Sequence, residues 1–328
     1  MKKIRKISAL LMALCMVLCV GAAAFTAGAV DTVRYSDAPY VLITKAYNLE
    51  GSGISPAETF TLEQIGDGVV ADGEAKTAPA LGTITGASFA EGDASANGTE
   101  ARIRVDLPEY DRVGVYEYTL REVAGTTAGV TYYVNDIKLV VTVINDDATG
   151  KLRIAAVHTE SVGEAKNDRF ANTYSAGTLN ITKTVTGNLG DRTRYFKFTV
   201  TLTGEKGKNY RETYAVSGGS YENNPTAVVI GEAATFYLKH DETLSIENLP
   251  YGVTYTVEED TPDDYTLTAE GASGTIGAAS ADAAFTNNKG GTPDTGIMLD
   301  SIPYIAILLL VAVGAFVLIA RKRSAEDC

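Results

Sequence analysis

Apolar and polar residues alternate with a period of two through most of the chain, in short runs bounded by Gly, Pro, Asn and Asp. Successive side chains on a strand point to opposite faces, so this spacing predicts strands rather than helices. One set of runs is VLITKAY (41–47), TFTLEQI (59–65), ARIRVDL (101–107), VYEYTLREV (115–123), DIKLVVTVI (136–144) and KLRIAAV (151–157). A second is TLNITKTV (178–185), YFKFTVTLT (195–203), ATFYLKH (234–240), TLSIENL (243–249), VTYTVEE (253–259) and DAAFTN (282–287). The Thr, Val and Tyr content and the lack of a long amphipathic pattern between the ends predict an all-β, antiparallel sandwich or barrel.

The two sets repeat one another. Ile43-Thr44-Lys45 returns as Ile181-Thr182-Lys183. Leu107-Pro108 ahead of Tyr118-x-Leu120-x-Glu122 returns as Leu249-Pro250 ahead of Tyr255-x-Val257-x-Glu259, and Phe170-Ala171-Asn172 as Phe285-Thr286-Asn287. The order Lys, Glu, Asn is kept, with a boundary near Ser175-Ala176-Gly177. The expected division is a signal segment 1–29, a first domain 30–175, a second 176–289 and a C-terminal segment 290–328.

The alternation places each of these polar residues on an apolar face. Val41, Ile43, Lys45 and Tyr47 share one side of their strand, as do Tyr118, Leu120 and Glu122, and Phe170, Asn172 and Tyr174. The second set repeats this with Leu179, Ile181, Lys183 and Val185, with Tyr255, Val257 and Glu259, and with Phe285 and Asn287. An ionised side chain taken out of water finds a partner or changes its protonation. A buried Lys–Glu ion pair with a supporting Asn is one reading. In the other, desolvation leaves a neutral amine and a neutral acid; the amine attacks the Asn carboxamide carbon while the acid hydrogen-bonds the carbonyl and shuttles protons, so that ammonia leaves. The product is a Lys–Asn side-chain amide, formed without a separate enzyme because the fold supplies proximity.

The ends depart from the strand pattern. Met1 to Ala29 has a basic start (Lys2, Lys3, Arg5, Lys6), an apolar run and Ala27-Gly28-Ala29, as in a secretory signal peptide. Cys15 and Cys19 lie in that run, but the residues before them, Leu14 and Leu18, are too large for a lipoprotein anchor. Ile302 to Ala320 is apolar and long enough for a membrane span, and Arg321-Lys322-Arg323 follows as a cytoplasmic stop.

Charge and composition narrow the function. The whole chain carries a formal −13, and residues 30–301, between the signal segment and the apolar span, hold 21 basic against 39 acidic residues. Such a surface disfavours nucleic acid and anionic membranes as partners. Two histidines and no cysteine in that part disfavour a transition-metal site, no disulfide can form there, and no cofactor motif is present.

The ITK start, the Y-x-[VL]-x-E strand and the F-x-N end, in order and twice, resemble the isopeptide-bonded domains of Gram-positive pilins, particularly the streptococcal T-antigen type of backbone pilin. The resemblance implies two tandem immunoglobulin-like or collagen-adhesin-B-like β-sandwiches. It further implies bonds Lys45–Asn172 and Lys183–Asn287, with Glu122 and Glu259 as their catalysts; Glu258, on the opposite face, is the poorer candidate. GTPDTG (291–296) resembles the LPxTG sorting signal, with Thr292 in place of leucine before Pro293 and Asp294. That likeness implies that a sortase attacks the Thr295 carbonyl and releases Gly296 onward. Implied partners are the sortase, other copies of the chain or other pilins, peptidoglycan precursor and host surface ligands, at a wall-anchored site on the cell surface. No Pro-Lys pair supplies the usual acceptor amine, and Lys166 occupies the place that T-antigen pilins use, ahead of Lys151, Lys138 and Lys76 as candidates. An adhesin or accessory pilin that is anchored without polymerising is an alternative, and a surface hydrolase a more distant one.

Overall fold

The computed structural model describes residues 39–71, 76–161, 166–292 and 302–326. The signal segment, the three cysteines and Pro293 to Gly296 of the sorting signal lie outside them. Thr292 is described, and exposed.

The described residues fold as β-sheets followed by one helix. In the first half, strands Tyr40–Gly51 and Thr99–Asp106 pair antiparallel. A second sheet has the order Leu152–Ser161, Ile137–Asn145, Gly114–Glu122, Leu62–Gln64. Ile43, Tyr47, Ile103 and Phe170 of one sheet meet Tyr116, Tyr118, Leu120 and Leu139 of the other in a single buried cluster. In the second half, a sheet of order Ala233–Leu238, Phe196–Thr203, Thr254–Asp260, Ser273–Thr275 sets Phe198, Val200, Phe236 and Val257 against Leu179, Ile181, Leu244 and Phe285. Each cluster is the interior that period-two strands create when two sheets bury one face apiece.

One strand serves both clusters. Arg169–Thr186 runs unbroken for 18 residues, about 60 Å at strand rise. Its N-terminal part pairs parallel with the first strand, from Thr44 opposite Arg169 to Gly51 opposite Ala176. Its C-terminal part pairs parallel with Ser280–Asn288, from Thr178 opposite Ser280 to Thr186 opposite Asn288. The sequence pattern predicts antiparallel pairing, with the boundary between the two sets of runs near Ser175-Ala176-Gly177. The structure carries one strand through that point, with these two parallel pairings beside antiparallel ones to Glu242–Pro250 and Val130–Thr131. The register against Glu242–Pro250 slips between Gly177 and Leu179, where that partner strand carries one extra residue at Glu247-Asn248. Along the long strand Phe170, Asn172, Tyr174 and Ala176 are buried before this point, and Leu179, Ile181, Lys183 and Val185 after it. Gly177 suits the slip because a Cβ there would stand 2.1 Å from the Ala278 carbonyl oxygen.

Polar side chains close the junction around this strand. Asn248 sits in the left-handed region (φ 59°), and its amide pairs with the main chain of Ile54 in both directions at 3.0 Å. It also accepts a hydrogen bond from the Tyr174 hydroxyl. Arg211 donates to the same Ile54 carbonyl at 2.9 Å and to Glu91 at 2.6 Å.

A 25-residue helix, Ile302–Glu326, ends the described chain. Its side chains are described over 306–319 only, all exposed. Among the described residues no helix is long and apolar enough to cross a membrane, although the apolar sequence extends past that stretch at both ends.

Candidate crosslinking sites

The parallel registers bring each lysine to its asparagine. Tyr47 stands opposite Asn172 and Lys45 opposite Phe170, so Lys45 lies two residues diagonally from Asn172 on the same inward face. The second site has the same offset, with Val185 opposite Asn287 and Lys183 opposite Phe285. Glutamates come from the facing sheets: Glu122 ends strand Gly114–Glu122, and Glu259 lies near the end of Thr254–Asp260. The side chains of Lys45 and Glu122 are 1% exposed, and those of Lys183 and Glu259 are fully buried. Asn172 and Asn287 are buried too, whereas Glu258 is exposed.

At the first site the three side chains form a closed ring. Lys45 Nζ donates to Glu122 Oε2 and, at 2.6 Å, to Asn172 Oδ1. Asn172 Nδ2 donates to Glu122 Oε1 at 2.5 Å. The carboxylate thus touches the amine with one oxygen and the carboxamide nitrogen with the other. The sequence reading has the acid bonded to the carboxamide oxygen. The structure pairs it with the nitrogen. The carboxamide oxygen takes Lys45 and the main-chain N–H of Tyr133, at 2.9 Å. Sequence reasoning missed Tyr133 because a main-chain donor leaves no mark on residue type.

The second site repeats the bridge. Lys183 Nζ donates to Glu259 Oε2 at 2.7 Å, and Asn287 Nδ2 to Glu259 Oε1 at 2.5 Å. Here, however, the carboxamide oxygen of Asn287 is buried and has no hydrogen-bond partner among the described residues.

Both amines face aromatic rings, Lys45 near Phe60 (5.3 Å) and Tyr133 (5.8 Å), and Lys183 near Phe196 (4.5 Å). Burial pushes the pKa of each lysine below its ordinary value, against the opposing charge and hydrogen bond of its glutamate. An uncrosslinked chain should reveal this. In Asn172→Ala the amine persists, and the folded state holds that proton less tightly than the unfolded state. Its stability contribution therefore rises as pH climbs from the lowered pKa toward 10.5 and is lost as pH falls. Chemical unfolding should show the stability gap between Asn172→Ala and Lys45→Met/Asn172→Ala narrowing with rising pH; a gap independent of pH would contradict the assignment.

The other candidates lie elsewhere. Lys166 is exposed, bridges to Glu160 and precedes the long strand. Lys76 and Lys151 are exposed as well, and Lys138 faces Glu117 at 3.4 Å. No group of three or more His, Cys, Asp or Glu among the described residues could hold a metal ion.

Known proteins share these features. Residues 43–175 match the family described as the Spy0128-like isopeptide containing domain, and residues 177–289 match a domain of unknown function (DUF7601). A pilin of Streptococcus pyogenes serotype M1 is 28% identical over 309 residues, covering 86% of this chain and 90% of that protein. The pilus tip adhesin Cpa of Streptococcus pyogenes is 33% identical over 129 residues, which are 37% of this chain and 18% of the adhesin. The crystal structure of the major pilin from Streptococcus pyogenes superposes with a TM-score of 0.51 at 23% identity, over 78% of this chain and all of that one, and so shares the fold. With an isopeptide-type domain matched in its first half and a pilin aligned over most of its length, the chain is similar to the streptococcal backbone pilins and is a structural subunit of a pilus on the cell surface.

Proposed function

We propose that this subunit welds itself shut twice, through amides Lys45–Asn172 and Lys183–Asn287, and is then joined to other subunits by a sortase. What carries the reading is the same Lys–Glu–Asn arrangement, buried and with the same strand offset, in two places. Glu122 and Glu259 are the catalysts. At the first site Oε2 takes a proton from Lys45 Nζ, and the freed lone pair attacks Asn172 Cγ. The C=O electrons move onto Oδ1 and return as the C–Nδ2 bond breaks, with the carboxyl delivering the proton that lets Nδ2 leave as ammonia; the carboxylate so regenerated takes the surplus proton from Nζ, which ends as an amide N–H. A carboxylate already bridging nucleophile and leaving group can move that proton without rearranging. The second site runs the same way through Glu259. The intact mass of the mature chain should therefore fall short of the encoded one by two ammonia molecules, and an unaltered mass would exclude both bonds.

On this reading residues 30–175 and 176–289 are two immunoglobulin-like or collagen-adhesin-B-like sandwiches, and 1–29 is removed on export. Ile302 to Ala320 spans the membrane until the sortase cuts between Thr295 and Gly296 of the Thr292-Pro293-Asp294-Thr295-Gly296 signal. The Thr295 acyl group then passes to Lys166 of another copy or to peptidoglycan precursor. Support for Lys166 is its exposure and its position just before the long strand. Wall extracts should contain a ladder of high-mass species, and Lys166→Ala should reduce it to the monomer; a ladder that persists would move the acceptor to Lys151, Lys138 or Lys76. A ladder absent from the unmodified protein would favour the singly anchored adhesin or accessory pilin.

A further inference from the structure

The two sites differ in one respect that bears on their chemistry. When Lys45 attacks, negative charge gathers on Asn172 Oδ1, and Tyr133 N–H is already 2.9 Å from that atom. Asn287 Oδ1 meets no donor among the described residues. Strand pairing explains the contrast. In the first half the strand beside Asn172 is two residues long, Val130–Thr131, paired to Tyr174 and Thr173. Pairing stops there, so the N–H of Tyr133 is free to turn toward the carboxamide. In the second half the corresponding strand, Thr266–Glu270, keeps its register through Leu267 opposite Asn287 to Glu270 opposite Ala284. Its main-chain donors stay in the sheet.

We propose that the main-chain N–H of Tyr133 is an oxyanion donor for the first crosslink, that the second site works without one, and that Lys45–Asn172 therefore closes before Lys183–Asn287 in each molecule. This rests on the crosslinking chemistry proposed above. A single oriented donor to a developing oxyanion is worth roughly 10²–10³ in rate, acting in a site from which water is excluded. The Tyr133 ring has a separate place, against Phe170 and with its hydroxyl 2.6 Å from that of Ser161. The donor and the ring can thus be altered independently.

The test follows both bonds in the full chain during cell-free synthesis, quenching samples over time in denaturant and quantifying each crosslinked peptide by mass spectrometry. In the unmodified chain Lys45–Asn172 should form roughly 10²-fold faster than Lys183–Asn287. Incorporating the α-hydroxy analogue of tyrosine at position 133 replaces the N–H by an ester oxygen and keeps the ring. It should slow the first bond by a similar factor and leave the second, in the same molecule, unchanged. Equal closing rates in the unmodified chain would overturn the proposal, as would an ester chain that closes its first bond at the unmodified rate. If the ester chain does not fold, the order of closing in the unmodified chain decides alone. Absence of both bonds from the unmodified chain would remove the crosslinking chemistry itself; absence of the order alone removes only the role of Tyr133.

Discussion

Glu122→Ala is expected to leave the mature chain short of its own encoded mass by one ammonia instead of two, and to lower the melting temperature of its first half. Two losses combine. The proposed Lys45–Asn172 link would close a loop of 127 residues and be worth about 4–5 kcal/mol through restriction of the unfolded chain. The amine left behind is buried and has lost its carboxylate, and removing one partner of a buried pair costs about 3–5 kcal/mol. The two do not simply add, because a lysine without its partner can shed its proton. The link alone corresponds to a fall on the order of 10–20 °C for a domain of this size. Glu258→Ala, on an exposed face, should change neither mass nor melting. Calorimetry and intact mass on the same samples decide the matter: a Glu122→Ala chain that still loses two ammonia molecules would remove Glu122 from the chemistry.

Stretching single molecules between their ends should separate the second site from the first. With the proposed Lys183–Asn287 link in place, the segment between those residues would be bypassed in the unmodified chain and should add no length under load. With Lys183→Ala about 104 residues become available, and their release should add a step on the order of 350 Å, at 3.3–3.6 Å per residue. Lys45→Ala should add a longer step, from the first half. A Lys183→Ala chain whose extension matches that of the unmodified protein would mean that no bond was there to lose.

Much of this arrangement could be read before any coordinates. Period two placed Lys45, Glu122 and Asn172 among apolar neighbours, and Lys183, Glu259 and Asn287 likewise, because burial of a polar group shows as a violation of alternation. It also separated Glu259 from Glu258, which differ only in which face they take. Register was not legible: nothing local in Tyr40–Gly51 says that it pairs parallel with residues more than a hundred positions away, or that the offset is two. Nor was the continuity of Arg169–Thr186. Ser175-Ala176-Gly177 has the composition of a turn, yet the strand runs through it; its register slips against Glu242–Pro250 there, and the Ala278 carbonyl lies too close to Gly177 for a side chain, both of them tertiary facts. The short strands Tyr214–Gly218 and Thr266–Glu270 carry too few residues to establish a period. Asn248 and Arg211 read as surface polar residues until the Ile54 main chain is beside them.

The long shared strand also bears on how a polymer of such units would flex. A linker of coil between two sandwiches acts as a hinge, and each subunit would then contribute one bend of its own. Here the connection is a strand paired along most of its length and braced at its midpoint by Asn248 and Arg211, so kinking it means breaking several ladder bonds together. Bending would therefore concentrate at the joints between subunits, with each subunit behaving as one stiff segment.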